Sequence, residues 1–164
     1  VRFNGGGWTT DYLMTILSVK QHAYTVPRGA AKDLEKENSK FKSYYPYGER
    51  LPYSAVAKPT IALCNQYSYS NAEIFSHAYK HLKLGKLVGQ PTFGAVISTS
   101  GQSLLGGHYV RLPFRGWYAS ATGKNMDIDP AIPDVLVENA PDEKAKGEDS
   151  QLKKSVEELL KQLK

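Results

Sequence analysis

The chain has 164 residues, 41% hydrophobic and 23% charged, enough apolar side chains for one ordinary globular domain without disulfide or metal staples and too many for a disordered chain. Its formal charge is +5, but the lysines are scattered and interleaved with acids, a mixed solvated surface rather than the clustered basic face of a nucleic-acid binder. A single cysteine, Cys64, excludes an internal disulfide and a cysteine-built zinc or iron–sulfur site, and no apolar run is long enough for a transmembrane helix.

Val1-Arg2-Phe3 reads as the end of a strand running into Asn4-Gly5-Gly6-Gly7. A chain that opens inside a strand, and on Val1 rather than Met, is expected to be a segment of a longer protein. Thr9-Thr10-Asp11 can cap and charge a helix start, and Tyr12, Leu13, Ile16 and Leu17 follow at helical spacing. His22 to Val26 reads as a short strand stopped by Pro27. Residues 28–54 read as a long surface loop, charged over Lys32 to Lys42 and aromatic at Tyr44-Tyr45-Pro46-Tyr47-Gly48. The apolar run Pro59 to Asn65 has the pattern of a buried strand. After a turn at Gln66 to Tyr69, Ser70-Asn71-Ala72-Glu73 is a capping box. Ile74, Phe75, Ala78 and Leu82 then form the apolar stripe of a helix that Gly85 ends. Further strands are predicted at Leu87 to Gly89, Phe93 to Thr99, Ser103 to Leu112, Phe114 to Ala119 and Pro133 to Glu138, with Gly101 breaking the second from the third. From Asp142 the chain becomes highly charged, and Leu152, Val156, Leu159, Leu160 and Leu163 make one stripe of an amphipathic helix that packs on the domain or meets a partner. The pattern divides the chain into a globular part, residues 1–140, and a charged extension, residues 141–164.

The strand, sharp turn and capped helix around Ser70 have the most chemical content. A serine at a helix start stands beside unpaired backbone N–H groups and the positive end of the helix dipole. Those groups stabilise an oxyanion when the hydroxyl attacks a carbonyl, and Asn71 N–H is the adjacent donor. The glycine run offers a second, because glycines let backbone N–H groups turn in on a ligand. Taken alone, the local pattern favours plainer roles: Ser-x-x-Glu is a common helix cap, and Gly-Gly-Gly a common tight turn. No Gly-Lys-Ser/Thr follows, so the run is not a phosphate loop. His77 and His81 share a helix face that can bind a metal, but no third ligand accompanies them, and no metal or cofactor is expected. His22 and His108 have no placed partner.

Four motifs in order carry a resemblance. Arg2-Phe-Asn-Gly-Gly-Gly7 resembles the Asp-x-Arg-x-Asn-x-Gly-Gly signature of the serine peptidases that include the C-terminal processing proteases and the tricorn core protease. Asn65-Gln-Tyr-Ser-Tyr-Ser70-Asn-Ala-Glu-Ile-Phe-Ser-His77 resembles that family's nucleophile segment, in its tricorn branch. Leu84-Gly-Lys-Leu-Val-Gly-Gln-Pro-Thr-Phe-Gly94 is similar to its Val-Gly-x-x-Thr-Phe/Trp-Gly strand and turn, and Asp129-Pro-Ala-Ile-Pro-Asp-Val135 to its closing Pro-Asp-Val/Ile motif. The resemblance implies a ClpP/crotonase-like α/β fold of stacked β-β-α units, followed here by the C-terminal amphipathic helix. It implies Ser70 as nucleophile and the backbone N–H groups of Asn71 and of Gly6 or Gly7 as oxyanion donors. It also implies peptide or unfolded-protein substrates and a homo-oligomer formed through a parent protein, with a PDZ-like and a helical subdomain before Val1.

The family activates its serine in two ways. The C-terminal processing branch places a lysine soon after a Phe-Gly, whereas Ala95 follows Phe93-Gly94 here. The tricorn branch uses a histidine from an earlier subdomain, oriented through a second serine and a glutamate. That histidine would precede Val1, and the position of the glutamate is held by Lys124, with Asp127 and Asp129 nearby as substitutes. Lys124 acting as base itself would require burial to release its proton. The acid that follows the tricorn nucleophile is Asn71 here, and an acid of a helper strand is replaced by Thr25. Both changes move the expected substrate preference from basic towards neutral side chains. The resemblance thus implies a serine endopeptidase whose base lies outside this chain. Two alternatives stand beside it: a peptide- or ligand-binding module that kept the fold and lost catalysis, which Lys124 favours, and a crotonase-type thioester enzyme, which would not need the Asn-x-Tyr-Ser-x-Ser segment. The compartment is left open.

Overall fold

The computed structural model describes residues 1–20, 22–41, 55–56 and 58–163; the aromatic run at 44–48 lies outside them. The chain forms two compact units, one of Val1–Tyr12 with Pro59–Lys164 and one of Leu13–Lys58. Helix α1 (Thr9–Leu17) follows the predicted apolar spacing, and the division falls inside it. The second unit adds α2 (Leu34–Glu37), continued by a 3-10 turn over Asn38–Phe41. Single-turn ion pairs, Lys36 to Asp33 at 3.2 Å and Lys40 to Glu37 at 3.4 Å, support that stretch. The strand expected over His22 to Val26 is reduced to one bridge position at Ala23; the run is short, and Pro27 brings no N–H to a ladder.

The first unit contains β1 (Thr60–Cys64), β2 (Gly85–Gly89), β3 (Ile97–Ser103), β4 (Tyr109–Gly116) and β5 (Val135–Leu136), with helices α3 (Asn71–His81), α4 (Glu143–Lys146) and α5 (Ser150–Gln162). A parallel sheet has the order β1-β2-β5, running from Thr60↔Gly85 to Cys64↔Gly89 on one side and Val88↔Val135 to Gly89↔Leu136 on the other. Leu87 and Val88 of the central strand are fully buried, as a strand covered on both faces requires. Parallel neighbours need a crossover, and α3 supplies it. Phe75 and Tyr79 of α3 are buried, and the Tyr79 hydroxyl lies 2.7 Å from Thr60 Oγ1.

Gly85 opens β2 instead of ending α3. The helix stops at Leu82, and Lys83 takes the left-handed turn at φ 55°. A Cβ at Gly85 would lie 2.2 Å from Thr60 O and 2.3 Å from Tyr79 Oη, so only glycine lets β2 approach β1 there.

The antiparallel hairpin β3–β4 runs from Ile97↔Gly116 to Ser103↔Tyr109, with an irregularity between Ser98 and Thr99. Its turn lies at residues 104–108, where Gly106 and Gly107 have positive φ, and not at Gly101. Gly101 sits inside β3 because the Tyr109 ring crosses it and fills the space of a Cβ. Beside the hairpin, Val96, Ala119 and Met126 form a buried cluster against Ile74 of α3. Helix α3 is therefore packed on two sides, which fixes the position of its first residues.

Helix α5 packs on β1 and β2, but with its polar side inward. Gln151, Ser155 and Glu158 are buried, while Leu152, Val156, Leu160 and Leu163 of the apolar stripe are exposed. Specific bonds explain the choice. Gln151 Nε2 donates to Val137 O (2.9 Å), Gln151 N donates to Asn139 Oδ1 (2.8 Å), and Glu158 pairs with Lys86 at 2.5 Å. Among the described residues no helix is long and apolar enough to cross a membrane.

Gly89 combines positive φ (131°) with a Cβ position 2.0 Å from Cys64 O. Gly89→Ala is expected to lower the unfolding free energy by about 3 kcal/mol. Gly123→Ala, also at positive φ but with nothing within 4 Å, is expected to cost about 1 kcal/mol. Urea unfolding midpoints of the two variants check the difference.

Candidate functional site

Ser70 stands where β1, after a five-residue turn, enters α3. Its backbone is at φ 57°, ψ −115°, in the positive-φ region that costs a non-glycine residue about 1–3 kcal/mol. Such an outlier persists only where its surroundings over-determine it. Ser70 N–H donates to Glu73 Oε1 at 3.1 Å, and the Ser70 carbonyl accepts from Glu73 N (2.9 Å) and Ile74 N (3.1 Å). The hydroxyl sits over Glu73 N–H in the capping-box arrangement but makes no cap hydrogen bond of its own. The local cap therefore fixes the Ser70 backbone and leaves its Oγ without a bonded base among the described residues.

Glu73 does more than close a box. It is fully buried and accepts four hydrogen bonds. Besides Ser70 N–H, Ala95 N–H reaches Oε1 at 3.0 Å, Thr92 Oγ1–H reaches Oε2 at 2.8 Å, and Gly94 N–H also reaches Oε2. Thr92 Oγ1 in turn accepts from Ala131 N at 2.8 Å. One carboxylate thus joins the helix start to the segment after β2 and, through Thr92, to residues 130–131. Sequence reasoning assigned Glu73 only a cap. The available signal was the Thr92-Phe-Gly94 motif, whose threonine and glycine are the partners.

The glycine run lies against Ser70. A Cβ on Gly6 would sit 2.9 Å from Ser70 Cβ and 3.2 Å from Asn71 N. Gly6 and Gly7 both have positive φ, 102° and 111°. The Gly6 N–H donates to Asn4 Oδ1 at 2.8 Å. Gly7 N–H and Asn71 N–H have no hydrogen-bond acceptor among the described residues. The run is anchored on both sides. Before it, Tyr69 N donates to Asn4 O (3.0 Å) and Phe3 N to Asn65 Oδ1 (3.2 Å). Beyond it, Thr10 N donates to Asn71 Oδ1 at 2.9 Å and Thr10 Oγ1 to Asn71 O at 2.7 Å. Ser68, fully buried, bridges the turn: its Oγ accepts from Asn65 N (3.0 Å) and donates to Val1 O (3.0 Å). Val1 to Phe3 thus lie beside β1 and its turn without forming a strand.

The chain has known relatives. The model of peptidase family S41 matches residues 1–137. The chain belongs to peptidase family S41. It is 30% identical to the tricorn protease of Thermoplasma volcanium and 32% identical to that of Thermoplasma acidophilum, each over 99% of this chain and 14% of the relative. The crystal structure of the tricorn protease matches 99% of the chain with a TM-score of 0.74 at 28% identity, again over 14% of that protein. The photosystem II D1 C-terminal processing protease shares the fold, with a TM-score of 0.54 over 84% of this chain and 33% of its own, at 22% identity. The expected α/β architecture with its C-terminal helix is that of these structures.

Other candidate residues of the S41 chain lie as follows. Lys124 has a 65% exposed side chain and forms an ion pair with Asp129 at 3.4 Å, so Asp129 is occupied as well. Asp127 N–H donates to Asn125 Oδ1. Thr25 is exposed and belongs to the second unit. Asn71 is buried, and its side-chain Oδ1 is committed to Thr10. His77 and His81 stack with ring centroids 6.0 Å apart, and His77 Nε2–H donates to Asp129 O at 3.1 Å, which withdraws that nitrogen from any metal. Burial pushes the Cys64 thiol up to about 12, so the cysteine beside the site is inert.

Two measurements test the packing of this S41 site. Glu73→Gln turns an N–H₂ group towards donors and is expected to destabilise the protein by about 3 kcal/mol in chemical denaturation. His77 is held below its ordinary value of 6.5, chiefly by burial and also by neighbouring His81, with the Asp129 bond, Asp129 and Glu73 opposing. As pH falls through about 6.5 the unfolded chain takes up this proton before the folded one does, so the stability contributed by neutral His77 is lost below that pH. His77→Gln is expected to flatten the decline in melting temperature between about pH 6.5 and 5.

Proposed function

We propose that this chain carries the nucleophile and the anion-binding half of a serine endopeptidase. The observation that carries the reading is a positive-φ Ser70 packed against the glycine run at Gly6, with two backbone N–H groups nearby in sequence, of Gly7 and Asn71, that no protein acceptor occupies among the described residues. In this reading Ser70 Oγ attacks the carbonyl carbon of a peptide bond, and the developing oxyanion takes the place of the missing acceptor. Gly6 N–H is already bonded to Asn4, so Gly7 is the donor and Gly6 the residue whose missing Cβ lets the run close on Ser70. The hydroxyl proton passes to a general base and from it to the leaving amine, after which water resolves the Ser70 acyl-enzyme.

The base comes from outside this chain. The chain spans 14% of the length of the Thermoplasma relatives, and no base is bonded to Ser70 Oγ among the described residues. Lys124 is half of an exposed ion pair and has no place in this mechanism. The chain by itself is expected to turn over little substrate. Substrates are peptides or unfolded segments with neutral side chains, since Asn71 and Thr25 carry no charge where the tricorn branch has acids. A homo-oligomeric assembly of the intact protein belongs to the same reading. The Lys124–Asp129 pair, at a position expected to hold a glutamate, favours one second reading: a peptide-binding module that has lost catalysis.

Fluorophosphonate labelling of the intact protein separates the two. Labelling that falls at least about 100-fold in Ser70→Ala is expected for the peptidase. A folded protein that does not label leaves the binding module.

A further inference from the structure

We propose that Asp149, the N-cap of α5, is a positioning residue for the glycine run, acting through Arg2 to hold the run against Ser70. The proposal rests on the peptidase reading above and assigns a part in it to the charged C-terminal segment.

The Arg2 guanidinium meets the Asp149 carboxylate in a two-pronged pair, Nη1 to Oδ1 and Nη2 to Oδ2, both 2.7 Å, and Nη1 also reaches Gln151 Oε1 at 3.1 Å. Asp149 Oδ1 further accepts from Leu152 N at 2.9 Å, which caps α5, and from Asn139 Nδ2 at 3.0 Å. The carboxyl is held well below the usual carboxylate range, first of all by Arg2. Both partners are largely shielded, with side chains 17% and 31% exposed.

Helix α5 is a rigid support because it packs on β1 and β2, the strands that also position Ser70. Arg2 lies two residues before Asn4, whose side chain takes the Gly6 N–H and whose carbonyl takes the Tyr69 N–H. The other anchors of Phe3 and Asn4 are single neutral hydrogen bonds. The Arg2–Asp149 pair is charged and two-pronged, and charge-assisted bonds are roughly twice as strong as neutral ones. It therefore sets where the run begins, and a displacement of about 1 Å at a reacting centre is enough to cost about 100-fold in rate.

The test uses the intact protein and Asp149→Asn. Asparagine is as good an N-cap as aspartate, so the variant keeps α5 and removes the charged pair. Labelling by a fluorophosphonate is expected to slow about 10- to 100-fold in the maximal rate, with half-saturation little changed. Arg2→Gln should show the same loss, and the double variant no more than either single one. Glu158→Gln, which loosens the far end of α5 at Lys86, should lower the melting temperature and leave labelling unchanged. Labelling of Asp149→Asn at the unaltered rate, or a loss that merely follows melting temperature across all variants, overturns the proposal. Should the unaltered protein fail to label, the peptidase reading falls, and amide exchange over residues 2–8 decides the clamp separately. Faster exchange in Asp149→Asn upholds it, and unchanged exchange rejects it.

Discussion

The Glu73 carboxylate is fully buried and accepts bonds from Ser70 N, Ala95 N, Gly94 N and the Thr92 hydroxyl. A buried carboxylate without donors would cost several kcal/mol, so the four donors must arrive together. Their arrival joins three separate stretches: the start of α3, the segment that leaves β2, and, through Thr92, residues 130–131. The positive φ of Ser70 is tolerated for the same reason. Its N–H is aimed at Glu73 by that conformation, and the charge-assisted bond offsets part of the backbone strain. The same conformation leaves the Oγ of half-buried Ser70 without a bonded base among the described residues.

Much of this was legible in sequence, up to a clear limit. β1, the turn, the capping box and α3 lie within 22 consecutive residues, Thr60 to His81, and each has a local signal. The sheet-closing segment and the C-terminal helix were legible for the same reason. What escaped depended on distant partners. Periodicity found a stripe on α5 but not which side faces the sheet, because Val137, Asn139 and Lys86 decide that. Local pattern makes Gly85 and Gly101 look like punctuation, although each is a point of close approach within a strand: to Thr60 O and Tyr79 Oη, and to the Tyr109 ring. The bond between the Asn71 side chain and Thr10 is likewise invisible to the local pattern. The motif Arg2-x-Asn4-x-Gly6-Gly7 singles out a loop that packs on Ser70, but the motif alone does not distinguish a Gly6 N–H used by Asn4 from a Gly7 N–H left open.

Two carboxylates at helix starts do the same mechanical work in this molecule. Glu73 in the first turn of α3 and Asp149 at the N-cap of α5 each accept four hydrogen bonds, and in each case some donors are local and the others come from remote chain. A helix N-terminus suits this task, since its own unpaired N–H groups and dipole stabilise the negative charge while remote donors are recruited. One staple holds the serine and the other holds Arg2, ahead of the glycine run. The two converge where Gly6 touches Ser70.

That convergence explains why Gly6 has no room for a side chain while Gly7 has open space around it. A run held at both ends must pass over Ser70 at a fixed height. The first residue to pass meets the serine's own Cβ and must be glycine on steric grounds. The next residue clears it, and its positive φ turns the peptide. Close packing at Gly6 and an open N–H at Gly7 are thus one geometric requirement. Moving the run outward would relieve the contact at Gly6 but strain the Tyr69–Asn4 bond that anchors it. Moving it inward is barred by Ser70 Cβ and the Tyr69 carbonyl, which already lie 2.9 and 3.1 Å from the Gly6 Cβ position. The proposed anion-binding half of the site would therefore be defined by a steric stop on one side and by anchoring bonds on the other.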